Sequence, residues 1–225
     1  MSPNTRKEMP APPPPLDGEL RFDQAARNGR ADDFGHIVHH MPEGVLLPGS
    51  AGDVAKTIQW TAQRGGRFAP QGQRHSTFGR SQVPGGIVAD MSALRSIGAV
   101  EGDRVVVGAG ATWSEVLRAT LARGKTPPVL TEYLELSVGG TLIVGGVGGT
   151  TAAFGVQSDN VIDLEVVTGE GRRLPARRAA TPACSTRCGP GSVRWVSSPR
   201  QRSSSSRRRS RCAGSCWSTR TWPRC

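Results

Sequence analysis

No cysteine precedes Cys184 in this 225-residue chain, and no aspartate or glutamate follows Glu170. Aromatic residues make up only 5% of it, with a single tyrosine. Each scarcity excludes something. A body without thiols is not a disulfide-stapled extracellular module and needs no oxidising compartment. No apolar run approaches the ~20 residues that cross a bilayer, so no membrane span is expected. The N-terminus is polar and Ala11 to Pro15 is proline-rich, which leaves no signal-peptide core and makes a cytoplasmic location the expectation. The five cysteines (Cys184, Cys188, Cys212, Cys216 and Cys225) include two C-x3-C spacings, but no histidine accompanies them, so no metal site is expected.

The missing acids divide the chain in two. All 18 acidic residues lie before Arg172, whereas residues 172–225 carry 14 of the 29 basic residues, every one an arginine. The formal net charge of +11 therefore belongs to the tail. Its only leucine is Leu174, and it has too little apolar surface to offset the entropy of ordering. Loss of acids and lysine with a rise in Arg, Ser and Cys is what GC-rich coding DNA yields out of register. Residues 172–225 are thus expected to be a frameshifted, disordered extension. Arg207-Arg208-Arg209 leaves open a non-specific nucleic-acid-binding reading, through the tail alone.

Residues 1–43 read as a disordered leader and approach segment. His36, His39 and His40 read as solvated, and Asp33-Phe34-Gly35 as a chance tripeptide. From Gly44 the pattern sharpens. Val45-Leu46-Leu47 predicts a strand, Ser50 a helix cap, and Val54, Ile58 and Ala62 one apolar helix face. Arg67 to Pro70 and Ile87-Val88-Ala89 complete a β-α-β unit. A second unit begins with strand Val105 to Val107. Thr112 caps its helix, with Val116, Leu117, Thr120 and Leu121 on one face and Gly124 at the end. Val161 to Thr168 reads as a buried strand, and the turn Gly169 to Gly171 should open a hairpin.

Gly108-Ala109-Gly110 invites a Rossmann reading that fails: Trp113 stands where the third glycine belongs, and no ribose-binding acid follows. Two other loops are better anion candidates, Gly72-Gln73-Arg74-His75-Ser76 and Ser137-Val138-Gly139-Gly140-Thr141. Glycine lets successive N–H groups approach an anion, and two such loops suit a dinucleotide. Spacing alone leaves simple connecting turns equally open.

These loops belong to a longer series. Gly72 to Gly79, Gly85 to Met91, Leu130-Thr131-Glu132-Tyr133-Leu134, Ser137 to Leu142, Asn160 to Leu164 and Val167 to Gly171 stand in the order found in cytokinin dehydrogenases. The resemblance covers Gly44 to Gly171. It implies membership of the wider vanillyl-alcohol-oxidase group. The fold expected is α+β, an incomplete FAD-binding domain of the PCMH type with two subdomains, over residues 44–171. The cofactor implied is FAD, held by Gly72, Arg74, His75, Ser76, Ser137, Gly139, Gly140 and Thr141. In the family the histidine at position 75 bonds covalently to the flavin. Arg74 replaces a glycine there and Arg80 a glutamine, so covalent and non-covalent attachment both stay open. The acid at position 132 implies a base that takes a proton from a small amine substrate during oxidation to an imine. The family's substrate domain is missing, so this truncated chain is expected to be inactive.

Overall fold

The structure, a computed structural model, describes residues 12–177, 189–196 and 198–199. Its first sheet is built from β1 (Glu19–Arg21), β2 (Gly44–Leu47), β3 (Phe68–Gln71) and β4 (Ile87–Asp90), with α1 (Gln24–Asn28) and α2 (Ala51–Gln63) between them. The order across the sheet is β1-β2-β4-β3. β4 is parallel to both neighbours, while β1 is antiparallel to β2. A strand flanked on both sides and covered on both faces must be apolar throughout, and Ile87, Val88 and Ala89 are fully buried. Ser50 caps α2 by accepting from the Asp53 N–H. Val54, Ala55, Ile58 and Trp60 of α2 pack on Leu46, Ile87 and Ala89. Ala62, expected on that face, is exposed.

The second unit contains β5 (Arg104–Gly108), α3 (Trp113–Leu121), β6 (Lys125–Thr126), α4 (Val138–Ile143), α5 (Thr151–Phe154) and β7 (Val161–Val167). A capping box, Thr112 with Glu115, starts α3. Trp113, Val116 and Val138 join Val105, Val107 and Val161 in a second core. Leu121 lies outside it, exposed. β7 serves both cores, since Val161 belongs to the second and Val167 to the first. The two-subdomain expectation therefore holds, with β7 as the shared wall.

Two expectations need correction. Residues 12–43 are not a loose leader. Buried Asp53 accepts from the N–H groups of Asp17 and Gly18, at 2.9 and 2.8 Å, and β1 then pairs with β2. Residues 1–11 lie outside the described residues. The expectation of no structure after Gly171 also fails in part. β8 (Arg173–Arg177) forms the expected hairpin with β7, and β9 (Gly189–Val196) lies between β5 and β7. β10 (Ser198–Pro199) pairs with β6. A β-ladder is made by the backbone, and arginine-rich composition does not forbid it. β7 is thus paired along both edges. Arg207 to Arg209 and all five cysteines lie outside the described residues.

Candidate cofactor site

The first candidate loop leaves the C-terminal end of β3, where open α/β sheets place ligands. It runs through turns and starts no helix. Arg74 adopts φ 58°, the left-handed region that glycine enters freely and other residues enter at a cost. Its guanidinium is not aimed at an anion: Nη1 donates to the Gly29 carbonyl at 2.9 Å, at the end of α1. His75 is half-buried. Its imidazole stacks on Phe34, with ring centroids 3.9 Å apart, and on Tyr133, at 4.7 Å. The Ser76 hydroxyl donates to Ser81 Oγ at 3.4 Å.

The second loop starts α4 and crosses the head of α3. The N–H groups of Trp113 and Ser114 donate to the carbonyls of Leu136 and Leu134, while those of Val138 and Gly139 donate to Ala111 and Ala109. Two of the expected anion-binding N–H groups are therefore engaged within the protein. Thr141 is also turned inward. Its Oγ1 accepts from the Trp113 indole at 2.9 Å and donates to the Val138 carbonyl at 3.1 Å. Ser137, Gly139 and Thr141 are buried, and Gly140 is the exposed member of the set.

The two loops meet at one point. A Cβ on Gly72 would collide with Ser137 Oγ, and a Cβ on Gly140 would stand 2.8 Å from the same atom. Glycine at both positions leaves room for that hydroxyl. Tyr133, three residues before Leu136, brings the Thr131-Glu132-Tyr133 turn against His75. Glu132 is exposed on that turn. An open cavity of about 350 Å³ lies nearby, lined by Gln73, Arg95, Thr112, Ser114, Arg118 and Glu135, among others. Neither His75 nor Glu132 lines it, so it is separate from this chemistry.

These surfaces fit a flavin nucleotide. Ile143, Val144 and Val147, in and next to the glycine cluster 145–149, expose 53 to 77% of their area, apolar surface suited to a flat ring system. Next to Gly146, the buried Gln157 Oε1 has no hydrogen-bond partner within the protein.

Residues that escaped the sequence reading hold the site from behind. Arg30 pairs with Asp90 at the end of β4. Burial, and then the charge of Arg74, pull the Arg30 pKa down, while Asp90 pushes it back up. Buried Asp33 accepts from the N–H groups of Ile37, at 2.9 Å, and Gly79, at 3.0 Å. Asp33 thus has a structural role that its sequence context did not signal. His36 and His39 flank the Asp32 carboxylate at the surface.

A mixed sheet-and-helix body with two glycine loops meeting beside a stacked histidine defines the FAD-binding class of flavoprotein domain. The chain matches the FAD binding domain family over residues 42–176 and belongs to it, with FAD as its cofactor. It is 46% identical over 156 residues to an uncharacterized oxidoreductase in the fasciation locus of Rhodococcoides fascians, covering 69% of this chain and 36% of that one. It is 40% identical over 172 residues to cytokinin dehydrogenase 7 of Oryza sativa subsp. japonica, covering 71% and 32%. The chain thus spans about a third of the length of these relatives. In fold it is similar to 6-hydroxy-D-nicotine oxidase from Arthrobacter nicotinovorans, with a TM-score of 0.73 and 24% identity over 81% of this chain and 42% of that one. No helix among the described residues is long and apolar enough to cross a membrane.

Proposed function

We propose that this chain is the FAD-holding part of a flavin-dependent oxidoreductase whose ancestral reaction oxidises a small, cytokinin-like secondary amine to an imine. The observation that carries the reading is the His75–Tyr133 stack, which sets the acid-bearing turn against the histidine loop. Similarity to proteins named cytokinin dehydrogenase supports the amine. When bound, FAD supplies the two-electron acceptor. His75 is the point of attachment, and Gly72 and Gly140 let the two loops close on Ser137 Oγ. Glu132, exposed on the turn before Tyr133, takes the amine proton as hydride leaves the adjacent carbon. The exposed apolar residues Ile143, Val144 and Val147 shed water once covered. The rest of the substrate site belongs to a further domain of the kind the longer relatives have room for.

Acid precipitation and stopped-flow reduction test these roles together. The chain should purify yellow, and its acid pellet should stay yellow. His75→Ala should release the flavin into the supernatant. In a full-length relative carrying this segment, Glu132→Gln should keep bound flavin but slow its reduction by amine about a hundredfold or more. A colourless wild-type pellet refutes attachment at His75, and an unchanged reduction rate refutes the base.

A further inference from the structure

The matched domain begins at residue 42, yet the loop carrying His75 is held by residues 30–40, which precede it. Contacts run along the whole loop. At its start, Gln71 Nε2 donates to the Arg30 carbonyl at 3.4 Å, and Arg30 Nη1 donates to Gln71 Oε1 at 3.5 Å. At its middle, the Phe34 N–H donates to the Ser76 carbonyl at 3.4 Å, and Asp33 Oδ2 accepts from the Gly79 N–H. At its end, Gln82 accepts from the His40 N–H and donates to the Val38 carbonyl, both at 2.8 Å. Residues 30–40 act as a strap.

The side chain that the strap delivers is Phe34. Its ring lies 3.9 Å from the His75 imidazole at an interplanar angle of 27°, and Tyr133 lies 4.7 Å away at 29°. Two near-parallel rings this close cannot share one face of an imidazole, so Phe34 and Tyr133 cover opposite faces. The ring plane is then fixed. Each imidazole nitrogen directs its lone pair or its proton within that plane, at the ring edge, so neither is covered by these two rings. Phe34 is 57% exposed, a costly setting for a phenyl group whose only task is to fill space.

We propose that Phe34 is a positioning residue for His75, anchored by Asp33, and that it fixes the plane in which the imidazole meets the cofactor. This rests on the reading of His75 as the point of flavin attachment.

The test uses the full 225-residue chain. Phe34→Leu keeps apolar bulk and removes the ring, and Phe34→Tyr keeps the ring. Two readouts are taken. The first is the rate at which acid-stable flavin appears after FAD is added, at equal total bound flavin. The second is the position of the His75 ring-proton signals, which ring currents above and below the imidazole move upfield. His75→Ala identifies those signals among the four histidines. Phe34→Leu should slow attachment about tenfold or more and move the His75 signals downfield, with Phe34→Tyr restoring both. An unchanged rate overturns the proposal, even with moved signals, because the ring would then neighbour His75 without directing it. If wild-type flavin is wholly acid-labile, the attachment reading itself falls. The signals then decide, and their indifference to Phe34→Leu overturns positioning.

Discussion

At the scale of single residues, Arg74 poses the sharpest problem. It sits at φ 58° next to the histidine of the cofactor loop. A left-handed residue with a Cβ costs about 1 kcal/mol or more relative to glycine. Arg74 recovers part of this through its bond to the Gly29 carbonyl, which ties the loop to α1. Two substitutions separate these effects. Arg74→Ala and Arg74→Gly both lose the guanidinium, but only glycine relieves the backbone. The glycine variant should therefore be the more stable of the two by about 1 kcal/mol, read as a difference in urea midpoint. Equal midpoints would mean that the positive φ is not held in solution. The family resemblance flagged position 74 as a glycine site, and the backbone agrees. The destination of the side chain was not legible, because Gly29 is 45 positions away.

At the scale of elements, the segments found from sequence are those with a local signature. Thr112 announces α3, Ser50 announces α2, and the Ile87-Val88-Ala89 run announces a strand. Removing a local signal should have a local cost. Thr112→Ala breaks the capping box and should destabilise the protein by about 1 kcal/mol, seen as a lower urea midpoint with an unchanged slope. No loss would mean that the pairing of Thr112 with Ser137 fixes α3 without its cap. Elements made by distant partners were not legible. β1 and α1 are too short for any periodicity, and β6 and β10 have two residues each. The second glycine loop was half legible. Ser137 and Thr141 look alike in sequence whether they face a ligand or the core. The Trp113 indole, 28 positions from Thr141, decides for the core.

At the scale of the whole molecule, two different kinds of attachment coexist. The two cores are apolar and share β7, whereas residues 12–40 join the body through β1–β2 pairing, Leu16 and Leu20 against the first core, and polar contacts that include the carboxylates of Asp33 and Asp53. Burial raises the pKa of Asp53, but the N–H groups of Asp17, Gly49 and Gly18, and the charge of Lys56, more than reverse this and hold it below the ordinary 3.8. For Asp33, the Ile37 N–H lowers the pKa most. Burial opposes this, and the Gly79 N–H lowers it further, so it too lies below 3.8. Both groups bind a proton less readily folded than unfolded. Their contribution to stability is therefore complete above the unfolded value and is lost as pH falls through the depressed folded value. The apolar clusters contain no group that titrates in this range. Acid should thus loosen residues 12–40 before it opens either core. Hydrogen exchange followed by mass spectrometry at about pH 6 and about pH 3, expressed as protection factors, checks this. Protection in residues 17–40 should fall at the lower pH while that of β4, α3 and β7 persists. Asp33→Asn together with Asp53→Asn should produce the same local loss near pH 6. Loss of protection in strap and cores together at pH 3 would show that the carboxylates do not hold the strap as a separate unit.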